Sequence, residues 1–140
     1  MKRVGLLSLL TLLAVVPVQA QTGPCTESAI KQTTMAPADD MFSYMPPYGK
    51  PLVGKAATQK ANAASFSART HITRSWAGDH RIVSSPSGDM AYEYGTQRMS
   101  YDEGGKRTEF EAAMLIVYRA KGSVCQIAAL TMHPLDEPQK

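Results

Sequence analysis

The chain contains 140 residues, with 15 lysines and arginines against 12 aspartates and glutamates, and its formal net charge is +3. A chain of this length builds one ordinary domain with a real hydrophobic core, but not two domains. Its basic residues form no cluster in the sequence, so the electrostatic signature of a nucleic-acid-binding protein is missing and no nucleic-acid partner is expected.

The N-terminal segment has the pattern of a Sec-type signal peptide. Two basic residues precede an apolar run over residues 4–16, and small residues follow up to Ala20. We therefore predict a signal peptide at residues 1–20, cleaved between Ala20 and Gln21. The apolar run is shorter than the roughly twenty residues that span a bilayer. The mature domain, residues 21–140, is expected in the periplasm or outside the cell, without membrane attachment.

Helices are predicted only in the first half of the mature chain. A polar segment over residues 26–35 favours a short helix. Residues 38–55 are rich in Pro and Gly and favour a loop with one short extended piece at 41–45. A second helix is predicted over residues 55–66, packed on the rest of the domain through its alanines.

From residue 69 onward the sequence changes to β character. Turn residues at 102–105 and 121–122 separate successive runs and predict two hairpins. Helices followed by an antiparallel meander define an α+β fold. We predict strands at residues 69–77, 80–85, 90–101, 107–119 and 124–133.

Alternate side chains of these strands share one face of the sheet. If each hairpin loop has an even number of residues, the parity of the positions assigns every side chain to a face. One face then combines tyrosine hydroxyls and a carboxylate with apolar neighbours, which is the composition of a small-molecule pocket. The predicted ligand-pocket residues are Tyr92, Tyr94, Glu111, Ala113, Leu115, Leu130 and Met132.

Within this set, Tyr94 and Glu111 are the candidate catalytic pair, because a carboxylate in an apolar cavity can move a proton beside a hydroxyl donor. A purely structural interpretation is also open, in which Arg98 and Glu109 form a cross-strand ion pair and the tyrosines are core aromatics. Residues 112–118 are apolar on both faces, so a helix is expected on one face and a helix or a second subunit on the other. A homodimer is the hypothesis that follows.

Two cysteines, Cys25 and Cys125, remain in the mature chain. In an oxidising compartment they either form a disulfide, which would tie the N-terminal segment to the last strand, or stay as buried thiols. The histidines His71, His80 and His133 lack the spacing of metal ligands, and no cofactor motif is present. Neither a metal nor a cofactor is expected.

The run Ser87-Gly88-Asp89-Met90-Ala91-Tyr92-Glu93-Tyr94-Gly95-Thr96 resembles the signature of the family called domain of unknown function 4440. In that family a Ser-Gly-Asp turn leads into a tyrosine-containing strand that ends in Gly and Thr. Residues 45–47 and 51–55 are similar to the family's loop before its helix, and residues 115–119 to its fourth strand. Together the similar pieces cover about residues 38–133. The resemblance implies the nuclear transport factor 2-like (SnoaL-like) superfamily.

The fold implied by the resemblance is a curved antiparallel sheet packed on N-terminal helices, a cystatin-like cone, with the helices abbreviated in this chain. Relatives include ketosteroid isomerase-like, dehydratase-like and polyketide cyclase-like enzymes as well as proteins without assigned activity, so the fold alone does not choose a function. Two departures from the family matter. Cys125 replaces a tryptophan, which favours the disulfide, and Leu130 stands where the family tends to have an aspartate.

Three functions are consistent with these features. The first is an exported module that binds a small apolar ligand in the cone without turnover, which Leu130 favours. The second is an isomerase, dehydratase or cyclase that uses Glu111 and Tyr94 for proton transfer. The third is a structural homodimer that interacts with other exported proteins. The sequence favours the first.

Overall fold

The computed structural model describes residues 22–45 and 49–135. The predicted signal peptide, its cleavage point and residues 46–47 of the family resemblance lie outside the described residues. The described elements are helix α1 (Glu27–Gln32), strands β1 (Ala36–Tyr44) and β2 (Leu52–Val53), helix α2 (Lys55–Phe66), and strands β3 (Thr70–Trp76), β4 (Arg81–Ser84), β5 (Met90–Glu103), β6 (Lys106–Lys121) and β7 (Val124–Pro134).

The seven described strands form one sheet in the order β2-β1-β7-β6-β5-β3, and β4 pairs with a different part of β5. Strands β5, β6 and β7 form the predicted antiparallel meander. Strand β1 runs parallel to β7, so the curved sheet is mixed. The predicted α+β class with a cystatin-like, curved sheet and few helices is confirmed.

Strand β1 is the element that the sequence predicted least well. It begins at residue 36, whereas only residues 41–45 were expected to be extended. The backbone of β1 forms hydrogen bonds with β7, and this pairing outweighs the turn-forming composition of the segment. In the described part of the chain, no helix is long and apolar enough to cross a membrane.

The helices lie on one face of the sheet, which we call the inner face; the opposite side is the outer face. Helix α2 turns Thr58 and Phe66 toward the inner face, while Ala57 and Ala64 are exposed. The predicted packing through alanines is therefore wrong, because the single large apolar side chain of the helix sets its rotation. Two core clusters fill the inner face: Cys25, Ile30, Ala91, Tyr118 and Cys125 under α1, and Met45, Met99, Ala112, Met114 and Met132 beside Phe66 and Trp76.

The segment before α1 is fixed to the sheet at two points. Cys25 forms a disulfide with Cys125 of β7, with the Cα atoms 5.1 Å apart. The backbone N–H of Gly23 donates to Ser87 O at 2.9 Å, and that of Cys25 donates to Gly88 O at 2.8 Å. A Cβ atom on Gly23 would lie 2.3 Å from the carbonyl carbon of Gly88, so this close approach requires glycine.

Candidate functional site

The first hairpin assigns its side chains to the faces that parity predicted. Its turn is Gly104-Gly105, and the register places Tyr94 opposite Leu115 and Arg98 opposite Glu111. The sequence predicted a pairing of Arg98 with Glu109, two residues away from its observed partner. A shift by two residues leaves every side chain on its predicted face. Five members of the predicted pocket therefore share one face, namely Tyr92, Tyr94, Glu111, Ala113 and Leu115.

The last two members, Leu130 and Met132, lie on the other face. Ile127 pairs with Tyr118 and Ala129 with Val117, so Ala128 is an extra residue, a β-bulge in β7. Beyond the bulge every side chain of β7 changes face, and Leu130 and Met132 pair with Ile116 and Met114 on the inner face. The predicted pocket is thus not one continuous surface, which corrects the sequence-based assignment.

The tyrosine-bearing face is the outer one. Tyr92 is 44% exposed, Tyr94 41% and Leu115 40%. The Glu111 carboxylate accepts a hydrogen bond from Arg98 Nε at 2.8 Å, whereas Glu109 had been expected to pair with this arginine. Tyr94 and Glu111 are therefore not enclosed in an apolar cavity, and the predicted catalytic pair is not assembled inside the cone.

A different carboxylate is buried on the inner face. Glu93 lies between the two outward-facing tyrosines in the sequence, so its side chain points the opposite way, and the residue is only 7% exposed. One carboxylate oxygen is 2.8 Å from His80 Nε2. The other accepts a hydrogen bond from the hydroxyl of the buried Tyr118. The indole ring of Trp76 stacks on the His80 ring, with centroids 4.3 Å apart.

The turn between β3 and β4 holds His80 in this cluster. The Asp79 carboxylate accepts hydrogen bonds from the backbone N–H of Thr96 at 2.9 Å and from its hydroxyl at 2.8 Å. These bonds lower the pKa of Asp79 below its usual value. Gly95 has a φ of +147°, and a Cβ atom there would lie 2.9 Å from the Cα of His80. Gly95 and Thr96 of the signature run thus position His80.

The electrostatics of the cluster fix the direction of its hydrogen bonds. Burial raises the pKa of Tyr118, and the hydrogen bond to Glu93 and its charge raise it further, so the phenol stays protonated and donates. With Glu93 as the acceptor, the second hydrogen bond is donated by Nε2 of His80. Within residues 22–45 and 49–135, Nδ1 of His80 has no hydrogen-bond partner.

The other end of the inner face contains an apolar cavity of about 90 Å³. Of the predicted ligand-pocket residues, only Met132 lines it. Arg69 is the charged member of its wall, with the guanidinium carbon 4.1 Å from the centre of the Tyr101 ring. The lining consists of Phe66, Arg69, Ile72, Met99, Tyr101, Phe110, Met132 and Pro134.

Two larger grooves are more open and more polar. One, of about 430 Å³, lies mainly against the outer face near the first hairpin and is lined by polar side chains that include Arg98 and Glu111. The second, of about 350 Å³, runs beside the end of α1 and reaches Tyr118. Ligand sites are typically enclosed and predominantly apolar. The small cavity on the inner face matches such a site by its apolar lining, and its volume restricts it to a ligand of a few heavy atoms.

Sequence reasoning missed Glu93, His80 and Tyr118. A signal was available for the first, because strict alternation between Tyr92 and Tyr94 must send Glu93 to the opposite face. No local pattern joined His80 and Tyr118 to it, since they come from a turn and from another strand. In the part of the chain that the structure describes, no three His, Cys, Asp or Glu side chains are grouped so that they could hold a metal ion.

No family model matches the chain, and no curated protein matches it. Solved structures do match. A ketosteroid isomerase-like protein from Erwinia carotovora atroseptica SCRI1043 aligns with a TM-score of 0.60 at 17% identity, over 73% of this chain and 78% of that chain. Hexachlorocyclohexane dehydrochlorinase LinA-type3 from Novosphingobium barchaimii LL02 aligns with a TM-score of 0.58 at 14% identity, over 71% and 68%. A nuclear transport factor 2-like protein with a cystatin-like fold from Novosphingobium aromaticivorans aligns with a TM-score of 0.53 at 14% identity, over 73% and 66%.

These alignments define the class of fold. The chain has the nuclear transport factor 2-like, cystatin-like fold, as its sequence predicted. Membership of the family called domain of unknown function 4440 is not confirmed and stays a prediction. At these identities the likeness concerns the fold and not the activity.

Proposed function

We propose that the chain binds a small, predominantly apolar ligand in the cavity of its inner face. The observation that carries this proposal is the enclosure of about 90 Å³ by apolar and aromatic side chains with a single charged residue, Arg69, in the wall. Burial of apolar ligand surface supplies the affinity, and the polar group supplies orientation. Among proteins of this fold, the dehydrochlorinase from Novosphingobium barchaimii is named for an apolar substrate, hexachlorocyclohexane.

Filling the cavity should abolish binding. Ile72 lies at its rim and is 39% exposed, so Ile72→Trp can place a large ring in the space without overpacking the core. With 3,3,3-trifluoropropanol as a probe and ¹⁹F NMR as the readout, we expect millimolar binding to the native chain and at least a tenfold loss in the variant. Val124→Trp, far from the cavity, serves as the control and should bind like the native chain. Equal binding by both variants contradicts the proposal.

A second candidate function is proton transfer at His80. The specific observation that favours it is the buried Glu93, which is hydrogen-bonded to both His80 and Tyr118. A histidine oriented by a carboxylate is a typical general base, and about a quarter of the His80 side chain is exposed. This version of the enzyme hypothesis replaces Glu111 and Tyr94 by residues of the inner face.

The proton-transfer candidate can be tested with 5-nitrobenzisoxazole. The base removes the proton from C3, the electron pair of that C–H bond closes the nitrile, and the N–O bond breaks to release a coloured nitrophenolate. We expect His80→Gln to lower the rate at least tenfold and imidazole in solution to restore it in His80→Ala. His71 is a matched control, because its Nδ1 lies 2.8 Å from Asp102 but its side chain is exposed. Equal loss in His71→Gln and His80→Gln rules this candidate out.

We further propose that the outer face joins two copies of the chain. Two rows of paired residues cross the sheet there: Tyr44, Thr131, Leu115, Tyr94 and Arg81, and Phe42, Ala129, Val117, Tyr92 and Val83. The four aromatic side chains are each about two fifths exposed, which leaves ~80 Å² of each uncovered. Arg81, the only charged residue in the rows, stands at the end of the first row, so a two-fold arrangement can keep the two copies of Arg81 at opposite ends of the interface.

A charge at the centre of these rows should keep the chain monomeric. We expect sedimentation velocity at micromolar concentration to report a dimer for the native chain and a monomer for Leu115→Arg, because the buried arginine would be unpaired. Ile72→Arg is the matched control, since Ile72 is equally exposed but belongs to the inner side. This variant should remain dimeric. A monomeric native chain contradicts the proposal.

We also propose that the chain is exported to the periplasm or secreted, with residues 1–20 removed. Support comes from the pattern of residues 1–20 and from the disulfide between Cys25 and Cys125, since disulfides persist mainly in oxidising compartments.

Protein recovered from the exported fraction should begin at Gln21 and contain no free thiol, as measured by mass spectrometry before and after alkylation. Replacing both cysteines by alanine should lower the free energy of unfolding by about 2–5 kcal/mol, because the bridge spans 100 residues. A reductant should destabilise the native chain and leave this variant unchanged. A full-length cytoplasmic chain with two free thiols contradicts the proposal.

A further inference from the structure

The cation in the wall of the apolar cavity is incompletely compensated. Arg69 is largely buried, with 17% of its side chain exposed, and among the described residues a carboxylate oxygen of Glu103 lies 3.5 Å from its Nε. That separation exceeds a good hydrogen bond. Within the described residues, the buried Nε of Arg69 has no hydrogen-bond partner. A buried N–H group without a hydrogen bond lowers the free energy of unfolding, and binding of an acceptor removes this penalty.

Aromatic rings surround the same guanidinium. It lies 4.1 Å from the centre of the Tyr101 ring and 5.1 Å from that of Phe66. A second guanidinium, that of Arg74, lies 5.8 Å from the same Phe66 ring. Ring faces attract cations but accept no conventional hydrogen bond, so the donors of Arg69 keep their capacity for an anion. Among the described residues, the carboxylate within ion-pair distance of Arg69 is that of Glu103.

From this geometry we propose that the ligand of the cavity is a small carboxylic acid, with its apolar body among Phe66, Phe110 and Met132 and its carboxylate on Arg69. The inference deepens the proposed binding function and rests on it. A guanidinium presents paired donors that match the two oxygens of a carboxylate, and such charge-assisted bonds are stronger than neutral ones. An uncharged apolar ligand would fill the cavity but leave Nε without an acceptor.

The experiment compares two probes of nearly equal size, 3,3,3-trifluoropropionate and 3,3,3-trifluoropropanol, by ¹⁹F NMR titration of the same protein. We expect the acid to bind the native chain at least tenfold more tightly than the alcohol. Arg69→Gln should remove this preference while leaving the affinity for the alcohol within about twofold of the native value. Arg69→Lys, which keeps the charge but loses the paired donors, should retain only part of the preference.

Arg98→Gln is the matched control, because Arg98 lies on the outer face and is exposed. It should preserve the tenfold preference, which excludes a general effect of net charge. If the alcohol binds but the acid binds no more tightly, the assignment of a carboxylic acid is overturned and the proposed binding function stands. If Ile72→Trp leaves the binding of both probes unchanged, the proposed binding function fails, and this inference fails with it.

Discussion

One of the two core clusters depends on a short N-terminal helix that is held on the inner face. Helix α1 has six residues, which is too few to be stable alone. The disulfide from Cys25 to Cys125 and the backbone bonds to the turn at Ser87 and Gly88 hold it in place. Its Ile30 then packs with Ala91 and Tyr118, and the hydroxyl of Tyr118 donates to Glu93. The cross-link thus fixes the helix that packs against Tyr118, the buried hydroxyl donor of the polar cluster.

The inner face contains two buried charges of opposite sign at opposite ends. Glu93 receives two hydrogen-bond partners, His80 and Tyr118, which compensate the loss of water. Arg69 packs against aromatic ring faces and lies 3.5 Å from one carboxylate oxygen, beyond a good hydrogen bond. Along β5, Glu93 and Met99 of the cavity are six residues apart, which corresponds to roughly 20 Å. The first charge is thus satisfied within the protein, whereas the second is suited to a ligand that enters from outside.

Much of the fold could be predicted because its elements have strong local signals. Helix α2 and the five strands after residue 69 follow from propensity, turn residues and alternation, and their predicted bounds agree to within about two residues. Strand β1 could not be predicted in full, since its extended conformation depends on pairing with β7, which is distant in the sequence. The resemblance to a known family supplied the curvature of the sheet, which no local pattern encodes.

The candidate site was predicted less well than the fold, for two physical reasons. The bulge at Ala128 lies in the run Ile127-Ala128-Ala129-Leu130, where both faces are apolar and alternation gives no register. The inner face is the face that the helices cover. Helix α2 is so polar that its sequence does not indicate which of its sides packs on the sheet, and therefore which face of the sheet it covers. The inward direction of the Glu93 side chain could have been predicted from the sequence. Side chains alternate along a strand, so Glu93 must point inward once Tyr92 and Tyr94 point outward.

The strand order also bears on how this domain avoids aggregation. One edge of the sheet is β1, which is irregular between Pro37 and Phe42 and is covered by the two-residue β2 only at Phe42 and Ser43. The other edge is divided between β3 and β4, which pair with separate parts of β5. Short or interrupted edges offer few free backbone groups for a foreign strand to extend the ladder. In the described part of the chain, the addition of a foreign strand at either edge is therefore disfavoured, which leaves the outer face as the surface for self-association.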